Sequence, residues 1–406
     1  MQKADQLYGR DIVIVGQQPW DISIGSNCKN IALEWSKLNR VLYVNSPLDR
    51  FSSYAAKNDV KIKQRLAVIR GEQEGIITIQ ENLWSLYPNE IIESINWIPN
   101  QYLFEYLNSI NNKKFARSIQ QAIDTLGFTN IILFNDNDMF RSYHLKELLD
   151  PVVSIYYSRD YMLAVNYWKK HGLKMEPELI AKSNICVANS TYLAAYCRKY
   201  NANSFNVGQG CELEAFSNVN TLQKPADMLC IPSPIIGYVG ALQSIRLNLQ
   251  VLAHLAATKP DWSLVLVGPE DATFEASSLH EFKNVYFIGT KDPAALPAYI
   301  NAFDVCINPQ LINQVTIGNY PRKIDEYLAA GKPVVATKTD AMSIFNEYCF
   351  LVETSADYVE KIQEAIDTDS PFLSANRKSF AATHTWKNSV QAIDQSIINF
   401  MLNTDF

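Results

Sequence analysis

Short apolar runs separated by helix-spaced segments recur along the chain. Residues 11–15 (DIVIV) form a continuous stretch of mainly β-branched residues, the pattern of a strand buried on both faces. Residues 28–38 place Ile31, Leu33, Trp35 and Leu38 at helix-compatible spacing, and 41–44 (VLYV) read as a second buried strand. Strand, helix, strand predicts a parallel βαβ unit, because parallel neighbours need a crossover. Further strands are predicted at 131–134, 152–156 and 185–188, with helical patterns at 113–126 and 190–200. The first half is therefore expected to be α/β, a single sheet covered by helices.

Periodicity fails over 221–234 (TLQKPADMLCIPSP), where Pro225, Pro232 and Pro234 interrupt any regular element. That segment is the expected linker between a first domain, 1–220, and a second, 235–385. After it the alternation restarts, with strands predicted at 235–239, 264–267, 285–288, 305–308, 334–337 and 350–352. Helices are predicted at 247–257, 294–302, 322–330 and 356–366. From Trp386 onward, Trp386, Val390, Ile393, Ile397 and Phe400 make one stripe of a long terminal helix.

A length of 406 residues fits two such domains. With 48% hydrophobic and 19% charged residues, the chain has material for a core, which excludes global disorder or a coiled coil. A net charge of −6 argues against nucleic acid as a partner. The cysteines Cys28, Cys186, Cys197, Cys211, Cys230, Cys306 and Cys349 are scattered and form no C-x-x-C pair, the pattern of reduced thiols in a cytoplasmic protein. The histidines stand apart from one another and from any cysteine cluster, so no metal site is expected. No export signal is visible over 1–20, and nowhere do eighteen apolar residues run together.

Candidate chemistry concentrates in the second half. Three predicted strands run into Gly240, Gly268 and Gly289. At the carboxyl edge of an open parallel sheet, glycine lets a ligand approach the backbone. Residues 318–331 (GNYPRKIDEYLAAG) carry helix signals at both ends. Pro321 suits the first helical position, and Gly331 the position just past the end. Arg322 and Lys323 then fall in the first turn, where the helix dipole disfavours cations and calls for an anion. A phosphate would take the free backbone N–H groups, and Lys323 would add a point charge. Glu326 shares the face of Lys323, where it either accepts hydrogen bonds from a ribose diol or forms an ordinary surface pair with that lysine.

The Gly240 and Gly289 strands, 296–300 (LPAYI), 304–309 (DVCINP) and above all 321–337 (PRKIDEYLAAGKPVVAT) resemble the donor-binding half of GT-B glycosyltransferases. The similarity is to glycosyltransferase family 4 and its relatives in capsule and teichuronic-acid-type polysaccharide synthesis. It extends through 178–216, where 207–216 (VGQGCELEAF) resembles a family turn with Gln209 and Glu212 at its Asn and Asp positions. The resemblance implies two Rossmann-like domains facing across a cleft, with 386–406 returning to the first. It implies a nucleotide-sugar donor, UDP-, GDP- or dTDP-linked, and a glycan or lipid-linked acceptor. It further implies a metal-independent hexosyl transfer with retention, no bound cofactor, and a place in surface polysaccharide synthesis. Lys323 would meet the diphosphate, Glu326 the ribose, and Arg246 would add a second phosphate contact beside Gly240. Thr290 and Lys291, following Gly289, would lie beside the nucleobase. Family members commonly carry a second glutamate where this chain has Gly318, so Gly318 and Asn319 would engage the sugar mostly through backbone groups.

In the first domain, Gly25 and Ser26 stand in the loop that lines the cleft in GT-B enzymes, or Ser26 or Asn27 simply caps the following helix. Asp160, after the 152–156 strand, resembles an acceptor-facing aspartate of capsule-type relatives. An ion pair with Arg159 or Lys169 is the plainer reading, and Asp136 and Asp138 are the runners-up. The basic run Lys57, Lys61, Lys63, Arg65 and Arg70, together with the aromatics of 91–107, suggests peripheral contact with the inner membrane face, against a plain solvated loop and core aromatics. Two other functions fit the same fold: a UDP-sugar epimerase and a non-catalytic glycan-binding protein. A nicotinamide dehydrogenase does not, because no G-x-G-x-x-G follows Val15 or Val239.

Overall fold

The computed structural model describes residues 6–22, 25–55, 58–217 and 222–404. Contacts divide the chain into two compact units, Met1–Gly208 with Ser389–Phe406, and Gln209–Asn388.

The first unit is built on strands β1 (Asp11–Val15), β2 (Arg40–Val44), β3 (Leu48–Asp49), β4 (Ile76–Gln80), β5 (Leu83–Leu86), β6 (Ile91–Ile92), β7 (Ile132–Asp136), β8 (Val153–Ser158), β9 (Ile185–Ala188) and β10 (Ser204–Asn206). Eight of them form one sheet in the order β10-β9-β8-β7-β1-β2-β5-β4, and β3 pairs with β6. Every pairing is parallel except β4 with β5. β1 sits where the strand order reverses, with Val13 beside Leu42 on one side and Leu133 on the other. Its five residues are all buried, as the unbroken apolar run predicts.

The helix expected over 113–126 runs over Gln101–Leu126. Its first half escapes the apolar pattern because asparagines hold its buried positions. Asn108 and Asn112 both donate to the Phe140 carbonyl, at 2.8 and 2.9 Å, and Asn111 donates to that of Glu93 at 2.9 Å. The helix over Asn166–Lys182, which contains Pro177, has no counterpart in the predicted elements.

The second unit has strands β11 (Ile235–Val239), β12 (Ser263–Val267), β13 (Val285–Gly289), β14 (Val305–Asn308), β15 (Val334–Thr337) and β16 (Phe350–Val352). Their order is β13-β12-β11-β14-β15-β16, all parallel. The order reverses between β11 and β14, so the carboxyl end of β11, at Gly240, is the natural ligand position of this sheet. Helices cover both faces, with separate buried clusters around Ile324, Tyr327 and Phe345 and around Leu252, Leu266 and Phe274.

Candidate functional site

The helix Arg322–Ala329 carries the strongest sequence signal. It begins at Arg322, as the predicted range has it, but Pro321 stands before the helix with φ −85° and ψ 84°, not at its first position. Its end is as the glycine predicts. Gly331 has φ +78°, its N–H bonds to the Leu328 carbonyl at 2.8 Å, and that of Lys332 bonds to Tyr327 at 3.0 Å, satisfying carbonyls the helix leaves open. Ile324, Tyr327 and Leu328 are fully buried. The Tyr327 hydroxyl accepts from the Val239 N–H at 2.9 Å, which ties the helix to the end of β11.

That anchoring leaves Arg322, Lys323 and Glu326 away from the core. Lys323 Nζ lies 4.8 Å from the centroid of the Tyr238 ring. A Cβ added at Gly240 would sit 3.3 Å from Nζ, so the lysine reaches the end of β11. It has no ion-pair partner among the described residues. Glu326 pairs with Arg322 at 3.3 Å, in place of the surface pair with Lys323 considered from the sequence. Burial pushes the Glu326 carboxyl up, against the opposing pull of Arg322 and Lys323.

Gly240 and Gly268 abut: a Cβ at Gly268, where φ is +150°, would fall 2.0 Å from the Gly240 carbonyl oxygen. Arg246 is exposed, without an ion pair among the described residues, and its carbonyl accepts from the Leu311 N–H at 2.8 Å. It thus borders the loop that carries Gly318 and Asn319. Gly318 is buried, and the Asn319 N–H bonds to Thr316 O at 3.1 Å. After Gly289, Thr290 is exposed, while Lys291 pairs with Asp227 at 2.7 Å and lies over the Tyr299 ring at 5.6 Å.

Sequence reasoning missed a buried cluster behind the helix. Asp325, fully buried, accepts from Tyr320 Oη at 2.8 Å and meets His384 Nδ1 at 2.5 Å, with Cys211 Sγ at 3.3 Å. The one available signal was an acidic residue inside an apolar helix face; its partner is 59 positions away.

In the first unit, loops after β1, β7 and β8 converge on Arg159. Its guanidinium bonds to Asp136 at 2.7 Å, Asp160 at 2.9 Å and Gln17 Oε1 at 3.2 Å. Burial alone would lower the Arg159 pKa, but Asp136 and Asp160 outweigh it and hold the group charged. Asp136 is fully buried, whereas Asp160 is 46% exposed and keeps access to solvent. Asp138 is bound to Arg141 at 2.6 Å and to the backbone N–H groups of Phe140 and Arg141, a structural role. Gly25 is exposed. Ser26 takes the N-cap position of helix Asn27–Trp35, but its side chain makes no capping bond. Of the basic run, Lys57 lies outside the described residues. Lys61 and Arg65 pair with Asp21, and Arg70 with Glu72. Among the described residues no helix is long and apolar enough to cross a membrane.

Residues 233–368 match the family model described as Glycosyl transferases group 1. Over 139 residues the chain is 30% identical to TuaH of Bacillus subtilis, named for a glycosyltransferase role in teichuronic acid biosynthesis; the match covers 34% of this chain and 35% of that one. The chain thus matches about a third of that relative's length. Anabaena HepE in complex with UDP superposes with a TM-score of 0.65 at 14% identity, covering 96% of this chain and 100% of HepE. Sucrose-phosphate synthase from Thermosynechococcus elongatus gives 0.63 at 16%, covering 98% and 100%. A glycosyltransferase from Rickettsia africae gives 0.62 at 15%, covering 98% and 99%. The chain has the GT-B fold of these proteins, two α/β units each built on a largely parallel sheet. The sequence of its second unit carries the group 1 glycosyl transferase match.

Proposed function

We propose that this protein transfers a hexosyl group from a nucleotide-diphosphate sugar to a glycan or lipid-linked acceptor, with retention, in surface polysaccharide synthesis. The observation that carries the reading is Lys323, an ammonium without a carboxylate partner among the described residues, held against Gly240 at the carboxyl end of β11. A diphosphate there would receive Lys323, with Arg246 from the side, while the Arg322 and Ile324 N–H groups are taken by the Tyr320 and Pro321 carbonyls at 3.1 and 2.9 Å. Glu326 would accept from the ribose hydroxyls. Thr290, Lys291 and Gly289 would border the base, and Gly318 and Asn319 the sugar. Asp160, in the first unit, would face the acceptor. Such cationic groups neutralise a departing nucleoside diphosphate without a divalent ion.

The UDP of the HepE complex makes uridine nucleotides the first to test. UDP-glucose incubated with the protein and followed by NMR is expected to give UDP with free or transferred glucose, in the α configuration on transfer. A C2 epimer formed without acceptor would instead identify an epimerase, and no turnover with donor bound would identify a glycan-binding protein. Peripheral membrane contact would run through Tyr102, Tyr106 and Ile110, exposed at four-residue spacing on one helix. Vesicle co-sedimentation that survives serine at both tyrosines would contradict that contact.

A further inference from the structure

The loops after β2, β5, β7 and β8 enclose a cavity of about 420 Å3 at the carboxyl edge of the first unit's sheet, within the size range of small-ligand pockets. One wall is aromatic. Trp168 stacks on Phe140 with centroids 5.3 Å apart and planes 25° apart, and Trp97 stands at the rim, 74% exposed.

Asp49 and Arg141 are charged groups that line the cavity with this wall. Asp49 accepts from the Ser52 N–H at 3.0 Å, the Ser52 hydroxyl at 2.6 Å and the Ser94 hydroxyl. Burial raises its pKa, but these bonds and the Phe51 amide outweigh it, so the carboxyl stays below its usual range. Arg141 donates Nε to Asp138 at 2.6 Å and leaves its terminal nitrogens without a protein hydrogen bond among the described residues.

The charges are otherwise balanced. Glu93 is held by Arg50 through bonds of 2.6 and 2.7 Å, and Arg141 by Asp138. Lys170, outside the wall, donates to the Asn96 and Trp97 carbonyls at 2.9 and 2.8 Å.

We propose that this cavity binds a neutral pyranose unit of the acceptor, its C–H face on the tryptophans and its hydroxyls on Asp49 and Arg141. The inference rests on the glycosyltransferase reading and adds the acceptor's chemical class. A pyranose offers an apolar face to an aromatic ring and a rim of hydroxyls that both donate and accept. A uronate or phosphate would meet the Asp49 carboxylate with no unpaired cation in the wall to offset it.

Saturation-transfer NMR on the full chain tests this with methyl α-D-glucopyranoside, methyl α-D-galactopyranoside, methyl α-D-glucuronide and farnesyl phosphate. At least one neutral pyranoside should bind, at least about tenfold tighter than the glucuronide. Trp97→Ala, at an exposed position that leaves the fold intact by circular dichroism, should weaken that binding at least about fivefold. Asp49→Asn should narrow the preference over the glucuronide. Neutral binding that survives both substitutions, equal or tighter binding of the glucuronide or farnesyl phosphate, or no pyranoside binding in a protein that binds UDP, would each overturn the assignment. UDP affinity, measured in parallel, should be the same in all three proteins. Its absence from the wild type would count against the donor site, separately from the pyranose result.

Discussion

Lys323 and Arg159 are both cations at the carboxyl edge of a parallel sheet, yet their surroundings give them different work. Arg159 is surrounded by acids and holds a buried carboxylate, Asp136, in place. Removing it leaves that charge without compensation, so Arg159→Ala should lower stability by about 3–5 kcal/mol. Asp160 is 46% exposed, and Asp160→Asn should change stability by less than about 1 kcal/mol, which makes it the cleaner probe of an acceptor role. Urea unfolding of the two variants checks both values; equal losses would mean that the exposed carboxylate is as structural as the arginine. Residue types and positions in a first helical turn were enough to single out Lys323 and Glu326. The pairing was not legible, because Arg322 and Lys323 both lie within reach of Glu326 and only the rotation of the helix chooses between them. Asp325 and His384 could not be paired at all, since nothing local links positions so far apart.

At the scale of elements, the helix Arg322–Ala329 depends on its ending as much as on its start. Gly331 adopts φ +78°, and a Cβ there would come within 2.2 Å of Ser374 Oγ and 2.7 Å of Lys378 Cε. Gly331→Ala combines left-handed strain with overpacking and should cost about 2–4 kcal/mol, seen as a lower thermal midpoint of the second unit. A midpoint within about a degree of wild type would mean that the helix end tolerates another conformation. The glycine made this terminus readable from sequence. The first half of helix Gln101–Leu126 was unreadable for the opposite reason, because its core positions are asparagines satisfied by backbone carbonyls of other segments. The antiparallel pairing of β4 with β5 was equally hidden, as β4 lies at the sheet edge and none of its residues is fully buried.

For the whole molecule, two parallel α/β units were legible from the recurring apolar runs, and tertiary fastenings were not. One such fastening ties the last helix to the start of the chain within the first unit: Asp394 accepts from Trp35 Nε1 at 2.7 Å and from the Leu7 N–H at 3.2 Å. Burial pushes its carboxyl up to about 6, despite those bonds. An unfolded aspartate titrates near 3.9, so between these values the folded state binds the proton more tightly, and this group's contribution to stability falls as pH rises through the window. The stability of Asp394→Asn relative to wild type should therefore increase by about 2–3 kcal/mol between pH 4 and pH 7. A pH-independent difference in urea unfolding would contradict the raised carboxyl. The central claim is the donor site at the end of β11, and calorimetric titration of UDP into wild-type, Lys323→Ala and Glu326→Ala protein tests it most directly. Wild type should bind, and loss of the lysine should weaken binding by about 10- to 150-fold, the equivalent of one charged hydrogen bond, with a smaller loss for the glutamate. UDP affinity unchanged in a folded Lys323→Ala protein would contradict the account.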